Sequence, residues 1–369
     1  MGEEVKIGLD ITGLAHARRF AGIERVDTEF HKHFSKFLDS SKYDLVPIYT
    51  VAGDPDLNEL HPNIAPSEMF LKPVSDISEC KIIFLTFLNA SIPFKRILEL
   101  KKNNNLKVVS TIHDIMPIKN PEWFPTPDDS PESKFKLQPK KLFQLYLQMT
   151  LSLADIIIVP SHQVKSDIEK LGWRYLARME VIPLGAYDKS LNQIPRKHQD
   201  FVNCIYLSTV EPRKAHSQLI EAFEILWAKQ VDIRLNIVGN KGWLIDDLVE
   251  LISNHEEFNK RLFWHKGLSD EKVNEIYSQS QIAFAVSFDE GFGLNIEEAL
   301  VRGLKVIARD IPVFRERQQE NLYFFDGGAK ALSEKIVEVS NLATSHSTKN
   351  SIRTMEDFTL DIIKMLHLI

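Results

Sequence analysis

With 369 residues, of which 44% are hydrophobic and 26% charged, the chain has the make-up of a soluble globular protein with two or more ordinary domains. Its formal net charge of -6 argues against a nucleic-acid binder, although a local basic patch would be diluted in that sum. Cys80 and Cys204 each fall in an apolar, strand-like run, so they read as small buried side chains and not as a disulfide framework or a zinc site.

The N-terminal MGEEVKIGLD passes directly into a strand without a signal-like segment, and no stretch reaches the ~18 apolar residues of a membrane span. A cytoplasmic location is expected, with peripheral contact at the inner face of the cell membrane left open. Strands are predicted over 5–10, 44–49, 81–87, 107–112, 155–160 and 179–184, separated by amphipathic helices. The clearest helix carries Ile23, Val26, Phe30, Phe34 and Phe37 on one face, a core-facing stripe.

Residues 119–139 are polar and Pro-rich, with Trp123, Phe124 and Phe135 interspersed and Lys134, Lys136, Lys140 and Lys141 nearby. They precede a helix whose Leu142, Leu145, Tyr146, Met149 and Leu153 share a face. A covering loop with a core helix explains this segment more simply than an acceptor or membrane-surface loop.

Polar residues 189–200 form the natural linker. Beyond it strands are expected over 202–208, 231–239, 261–267, 281–287 and 305–309, with helices near 214–229, 243–254, 269–280 and 294–302. A final helix near 350–367 places Met355, Phe358, Ile362 and Leu366 on one face. Two series of apolar strands alternating with helices predict an α/β protein with two parallel, Rossmann-like sheets and ligands at the carboxyl ends of the strands.

A nicotinamide-cofactor enzyme would need G-x-G-x-x-G at the first strand-to-helix turn, and that turn reads DITGLAHARRFAG. VGNKGW at 238–243 offers only G-x-x-G, and there is no P-loop. The D-x-D spelling of Asp54-Pro55-Asp56 sits in a Pro/Gly loop without a preceding apolar strand, a poor place for a metal site.

Three segments have the composition of a chemical site. SFDEGFGLNIEEALVRG (287–303) follows an apolar strand and opens a helix that stops at Gly303. Gly291 and Gly293 permit a tight turn and close approach of a ligand, amides at the helix start favour phosphate oxygens, and the carboxylates of Glu290 and Glu298 can each accept sugar hydroxyls. In LSTVEPRKAHSQLIEAF (207–223), Arg213 and Lys214 stand where a helix begins, and the helix dipole disfavours cations there unless they meet an anion such as a diphosphate. In VVSTIHDIMPI (108–118), His113 and Asp114 follow a strand's carboxyl end.

On these residues the chain resembles family 4 of the retaining GT-B glycosyltransferases, in their bacterial mannosyltransferase-like branch. The family's E-x7-E pattern matches Glu290 and Glu298, its E-P-R-K segment matches Glu211 to Lys214, and its H-D segment matches His113 and Asp114. Gly22, Ile23 and Arg25 match an early G-I-x-R turn, and V-P-S at 159–161 and I-P-L-G at 182–185 match further landmarks. The resemblance spans nearly the whole length, and its strength lies in the ordered set. Asn295 and Ala21 stand where proline and a second glycine are frequent, which bears on donor preference. Because asparagine caps helices well, the helix start is expected to survive.

The resemblance implies a GT-B fold with its two sheets facing across a cleft. It implies an acceptor domain over 1–195, a nucleotide-sugar domain over 196–345, and a helix over 346–369 that crosses back to the first domain. It further implies a metal-independent, cofactor-free transfer of a hexose, mannose first, from a nucleotide diphosphate sugar to a saccharide or lipid-linked saccharide in polysaccharide assembly. Glu298 would hold the donor ribose; Glu290 would hold the transferred sugar, with Gly291, Phe292, Gly293 and Leu294 close by. Arg213 and Lys214 would bind the diphosphate, His113 would serve the reacting sugar, and Gly22 would let a loop approach the phosphates. A GT-B-fold epimerase and an inactive sugar-binding scaffold are the rivals; intact Glu290, Glu298, Arg213 and Lys214 count against the scaffold.

Overall fold

The computed structural model describes residues 5–10, 23–38, 42–49, 72–73, 78–85, 94–125, 139–187, 201–317, 319–342 and 352–367. Gly22, Asp54-Pro55-Asp56, the linker 189–200 and most of the Pro-rich segment lie outside them. The chain divides into two compact units: one joins Met1–Ile118, Phe135–Leu184 and Met355–Ile369, and the other joins Lys119–Lys134 to Gly185–Thr354.

Unit one holds β1 (Val5–Asp10), α1 (Ile23–Phe37), β2 (Tyr43–Tyr49), β3 (Lys72–Pro73), β4 (Cys80–Leu85), α2 (Phe94–Asn104), β5 (Lys107–Thr111), α3 (Met116–Lys119, its last residue counted with unit two), α4 (Pro139–Leu153), β6 (Ile156–Val159), α5 (His162–Glu169) and β7 (Arg178–Val181). Its sheet runs β3-β2-β1-β4-β5-β6-β7 and is parallel throughout. Two-residue β3, with a proline at the sheet edge, is too short to leave a periodic signal in the sequence. Unbroken apolar runs such as IIIV in β6 are buried along their length, as a sheet covered on both faces requires.

The predicted faces of two helices are present. Val26, Phe30 and Phe34 of α1 are buried and Phe37 half-buried; Met355, Phe358 and Ile362 of the C-terminal helix are buried, as is Leu366 just beyond its end. That helix packs on α1 within unit one, where the Phe30 and Phe358 rings meet at 6.1 Å and Lys36 Nζ lies 3.1 Å from Glu356 Oε1. For α4 the expected face is corrected. Leu147 and Leu151 are buried while Leu145 is 45% exposed, because the stripe seated on the sheet is rotated from the one counted in sequence. Leu153 is buried as expected.

Unit two holds β8 (Val202–Leu207), α6 (His216–Ala228), β9 (Ile233–Val238), α7 (Asp246–Ser253), β10 (Leu262–His265), α8 (Asp270–Gln279), β11 (Ile282–Ala285), α9 (Leu294–Val301), β12 (Lys305–Arg309), α10 (Pro312–Arg315), β13 (Leu322–Phe325) and α11 (Ala329–Ser340); the C-terminal helix, α12, is Met355–Met365. All neighbours pair parallel in the order β10-β9-β8-β11-β12-β13. Alternate residues feed the two faces, with Cys204, Tyr206, Ile237 and Phe284 in one core and Ile205, Ala283, Ala285 and Val306 in the other. β13 and α11 were not anticipated, although Leu332, Ile336 and Val339 bury a regular helical stripe. Both cysteines are free and buried, as their apolar surroundings suggest. No helix among the described residues is long and apolar enough to cross a membrane.

Candidate active site

In unit two the strand order reverses between β8 and β11, which pair directly. Loops leaving the carboxyl ends of two strands at such a reversal diverge to opposite sides and leave a crevice for ligands. The E-P-R-K segment leaves β8 and the loop carrying Glu290 leaves β11, so chain topology alone brings the two motifs to one place.

Their side chains meet there. Glu290 is buried and accepts from Arg213 Nη1 at 2.8 Å, from Lys214 Nζ at 2.5 Å and from Ser287 Oγ at 2.7 Å. Arg213 also pairs through Nε with the buried Glu211 at 2.6 Å. Burial by itself would raise the Glu290 pKa, but the charges of Arg213 and Lys214 outweigh it and hold the carboxyl to about 2. Sequence reasoning placed the two cations at a helix start, awaiting a ligand anion. They sit instead on a separate 3-10 turn, Pro212–Lys214, and the protein supplies two anions of its own.

That turn is pinned from both strands. Tyr206 Oη donates to the Lys214 carbonyl at 2.9 Å, and the Phe288 amide donates to the Arg213 carbonyl at 2.9 Å. Ala215 then takes a left-handed conformation, φ 53°, before α6 begins, a strained choice for an alanine of the kind that gathers at functional sites. Behind the turn, His216 Nε2 lies 3.1 Å from Ser208 Oγ; burial lowers its pKa to about 3 and the Lys214 charge adds to this, so the ring is neutral. Ser287, Tyr206, Ser208, His216 and Glu211 were missed as parts of the site. The available signal was their place at strand carboxyl ends, next to a motif.

The glycine turn has its own physical cause. Gly293 caps α9 at φ +91°, and a Cβ there would lie 2.5 Å from Phe314 Cε1. Gly293→Ala therefore meets both backbone strain and a packed ring. A loss of about 1–3 kcal/mol is expected in thermal or urea unfolding. Gly267→Ala is the control, since Gly267 has φ +63° and open space around it; equal losses at both positions would remove the part assigned to Phe314. At its other end α9 closes in a Schellman motif, with Gly303 left-handed and the Gly303 and Leu304 amides donating to Leu300 and Ala299. Asn295 is not the cap anticipated: Gly293 is, and Asn295 Nδ2 donates to the Phe284 carbonyl at 3.1 Å, tying α9 to β11.

Glu298 is buried on α9, with Leu294 at the helix start. Its neighbour Glu297 points to a different partner, as the helical rotation requires: it meets Arg317 Nε at 2.8 Å. Arg317 also donates to the Phe292 carbonyl and lies 4.0 Å from the Phe292 ring centroid. This buried pair braces the E-G-F-G turn. In VGNKGW, Gly239 and Gly242 lie so close to Ser208 O and Val210 O that a Cβ would fall at 1.9 Å and 2.5 Å, which makes both glycines packing requirements.

His113 lies in unit one beyond β5. Its Nε2 is buried without a hydrogen-bond partner, and burial lowers its pKa to about 4, so the imidazole is neutral. Asp114 accepts the Met116 amide at 3.0 Å, a local bond that starts α3.

Two parallel sheets, the second in 3-2-1-4-5-6 order with an acid and two cations at its switch point, define the GT-B class of architecture. HepE of Anabaena, solved with UDP and glucose, superimposes with a TM-score of 0.68 over 99% of this chain and 100% of its own, at 14% identity. Residues 189–353 match the glycosyl transferases group 1 family, so the similarity to a glycosyltransferase domain falls on this segment. Over 357 residues the chain is 31% identical to the serotype-specific mannosyltransferase WbdA of Escherichia coli, covering 90% of this chain and 42% of that protein. It is 27% identical to the O-antigen chain mannosyltransferase B of Escherichia coli, over 56% of this chain and 53% of that one. The chain thus spans less than half the length of WbdA.

Proposed function

We propose that this chain is a retaining hexosyltransferase of polysaccharide assembly, moving mannose from a nucleotide diphosphate sugar to a saccharide or lipid-linked saccharide without a metal ion. The observation that carries the reading is the Glu290 carboxylate clasped by Arg213 and Lys214 at the switch point of a group 1 glycosyltransferase domain. The similarity to bacterial mannosyltransferases supports the sugar. A cytoplasmic location, with the acceptor presented at the membrane, accords with the absence of a spanning helix among the described residues.

An arriving diphosphate competes with Glu290 for Arg213 and Lys214, because phosphate oxygens also accept charge-assisted hydrogen bonds from both cations. Glu290, kept ionised, then turns its oxygens to hydroxyls of the transferred sugar, while Glu298 takes the ribose hydroxyls. The family resemblance assigns Gly22 to the phosphates and His113, a neutral imidazole, to the reacting sugar. The bond from the anomeric carbon to the diphosphate breaks, and the acceptor oxygen bonds to that carbon on the same face. The acceptor proton passes to the departing phosphate oxygen. Arg213, Lys214 and the amides at the start of α9 stabilise the charge that develops there.

A thermal-shift screen of GDP, UDP, dTDP and ADP sugars, followed by transfer assays with and without EDTA, tests this. One donor should raise the melting temperature by mass action, by about 2.7 kcal/mol of stability at a hundred times Kd. Transfer should persist in EDTA and retain the donor's anomeric configuration. Complete loss in EDTA with recovery in Mn²⁺, or an inverted product, would overturn the mechanism. Release of an altered nucleotide sugar without acceptor would give the epimerase reading instead.

A further inference from the structure

Residues 119–125 fall in sequence between elements of unit one, yet they are counted with unit two and make a short strap across it. Lys119 Nζ lies 2.6 Å from Asp289 Oδ2. The other oxygen of Asp289 accepts the Glu290 amide at 2.8 Å. Trp123 stacks on Phe288 at 6.4 Å with 27° between the ring planes, and its carbonyl accepts from Trp243 Nε1 at 2.7 Å. Phe124 stacks on Trp243 at 5.8 Å. Phe288 and Asp289 are thus held by groups about 165–170 positions upstream, and Asp289 in turn holds the Glu290 amide.

We propose that Lys119 and Trp123 are positioning residues for Glu290, so that the strap sets how well the loop after β11 presents its carboxylate to the donor. The proposal rests on the donor-site reading above and deepens it. Lys119 neutralises Asp289, which would otherwise stand as an unpaired carboxylate one residue from Glu290 and compete for Arg213; Arg213 Nη1 already reaches the Asp289 carbonyl at 3.4 Å. With Lys119 in place, Asp289 is committed to holding the Glu290 amide, and Arg213 and Lys214 stay on the side chain of Glu290. Trp123 limits the swing of Phe288, whose amide is bonded to the Arg213 carbonyl. A loop fixed at both ring and carboxylate keeps Glu290 within the fraction of an ångström that a catalytic group requires.

The test compares Lys119→Met, Lys119→Arg, Asp289→Asn and the double variant Lys119→Met/Asp289→Asn. Lys119→Met should lower kcat/KM for the donor by about ten- to a hundredfold, as a slight misplacement of a catalytic group does. Its melting temperature should barely change, because a partly exposed ion pair adds little to global stability. Lys119→Arg should restore most activity, and the double variant should be no worse than the poorer single one. Unchanged kinetics in Lys119→Met, or strictly additive losses, would overturn the proposal. Hydrogen exchange of the amides of residues 288–291, in the protein without substrate, separates this proposal from the donor reading. Faster exchange in Lys119→Met supports the strap even if no nucleotide sugar proves to be a donor, and unchanged exchange refutes the strap even if transfer is confirmed.

Discussion

Replacing Glu290 by glutamine is expected to cut turnover by about 10²–10³-fold, the effect of removing one preorganised polar group from a reaction centre. Glutamine keeps the shape and one acceptor oxygen but gives up the charge that balances Arg213 and Lys214. The same change should lower stability at neutral pH. Glu290 has a folded pKa near 2 against an ordinary 4.5, so its contribution is fully present above 4.5 and is lost as pH falls towards 2. The shift corresponds to about 3 kcal/mol, to order of magnitude. Melting curves of wild type and Glu290→Gln should therefore be well separated at pH 7 and converge below pH 4.5. Parallel curves across that range would show that the Arg213 and Lys214 contacts do not stabilise the ionised form.

Glu298→Ala should act mainly on the donor. Its carboxylate is buried on α9, and under the proposed ribose role each hydroxyl bond lost from this charged acceptor costs about 1.5–3 kcal/mol, so donor KM should rise at least roughly tenfold. Turnover should fall as well, since ribose contacts orient the diphosphate towards Arg213 and Lys214. Glu297→Ala is the informative neighbour. It removes the partner of a buried arginine that also holds the Phe292 carbonyl, so it should reduce stability more than it weakens donor binding. Steady-state kinetics beside unfolding midpoints would separate the two. Unchanged donor kinetics in Glu298→Ala, with a verified donor, would end the ribose assignment.

Much of this was legible in the sequence because parallel α/β sheets write themselves plainly. Their strands carry short, largely apolar runs, and β1 and β12 match their predicted spans residue for residue. Boundaries moved where backbone geometry intervened: predicted strand 231–239 shortens to β9 because Gln230 turns left-handed ahead of it and Gly239 leaves strand geometry after it. The face of α4 was misjudged because periodicity shows only that a helix has apolar residues at a regular spacing. Which of two neighbouring stripes meets the sheet is settled by packing.

By itself the sequence determined the α/β class, the two series of strands, and which residues could carry charge, hydroxyl recognition or a tight turn. Those properties follow from local covalent chemistry and from residue spacing, which the chain carries wherever it goes. Only the tertiary structure decided how the charges combine. Glu290 and Arg213 are 77 positions apart, and nothing local indicates that the acid balances the two cations. That pairing exists because β8 and β11 are neighbours at the reversal of strand order. The Lys119 and Trp123 strap was likewise beyond local reading, since it depends on a segment from the first half of the chain lying against a loop of the second half. Long-range electrostatics and stacking depend on distance in space, and only the folded chain sets that distance.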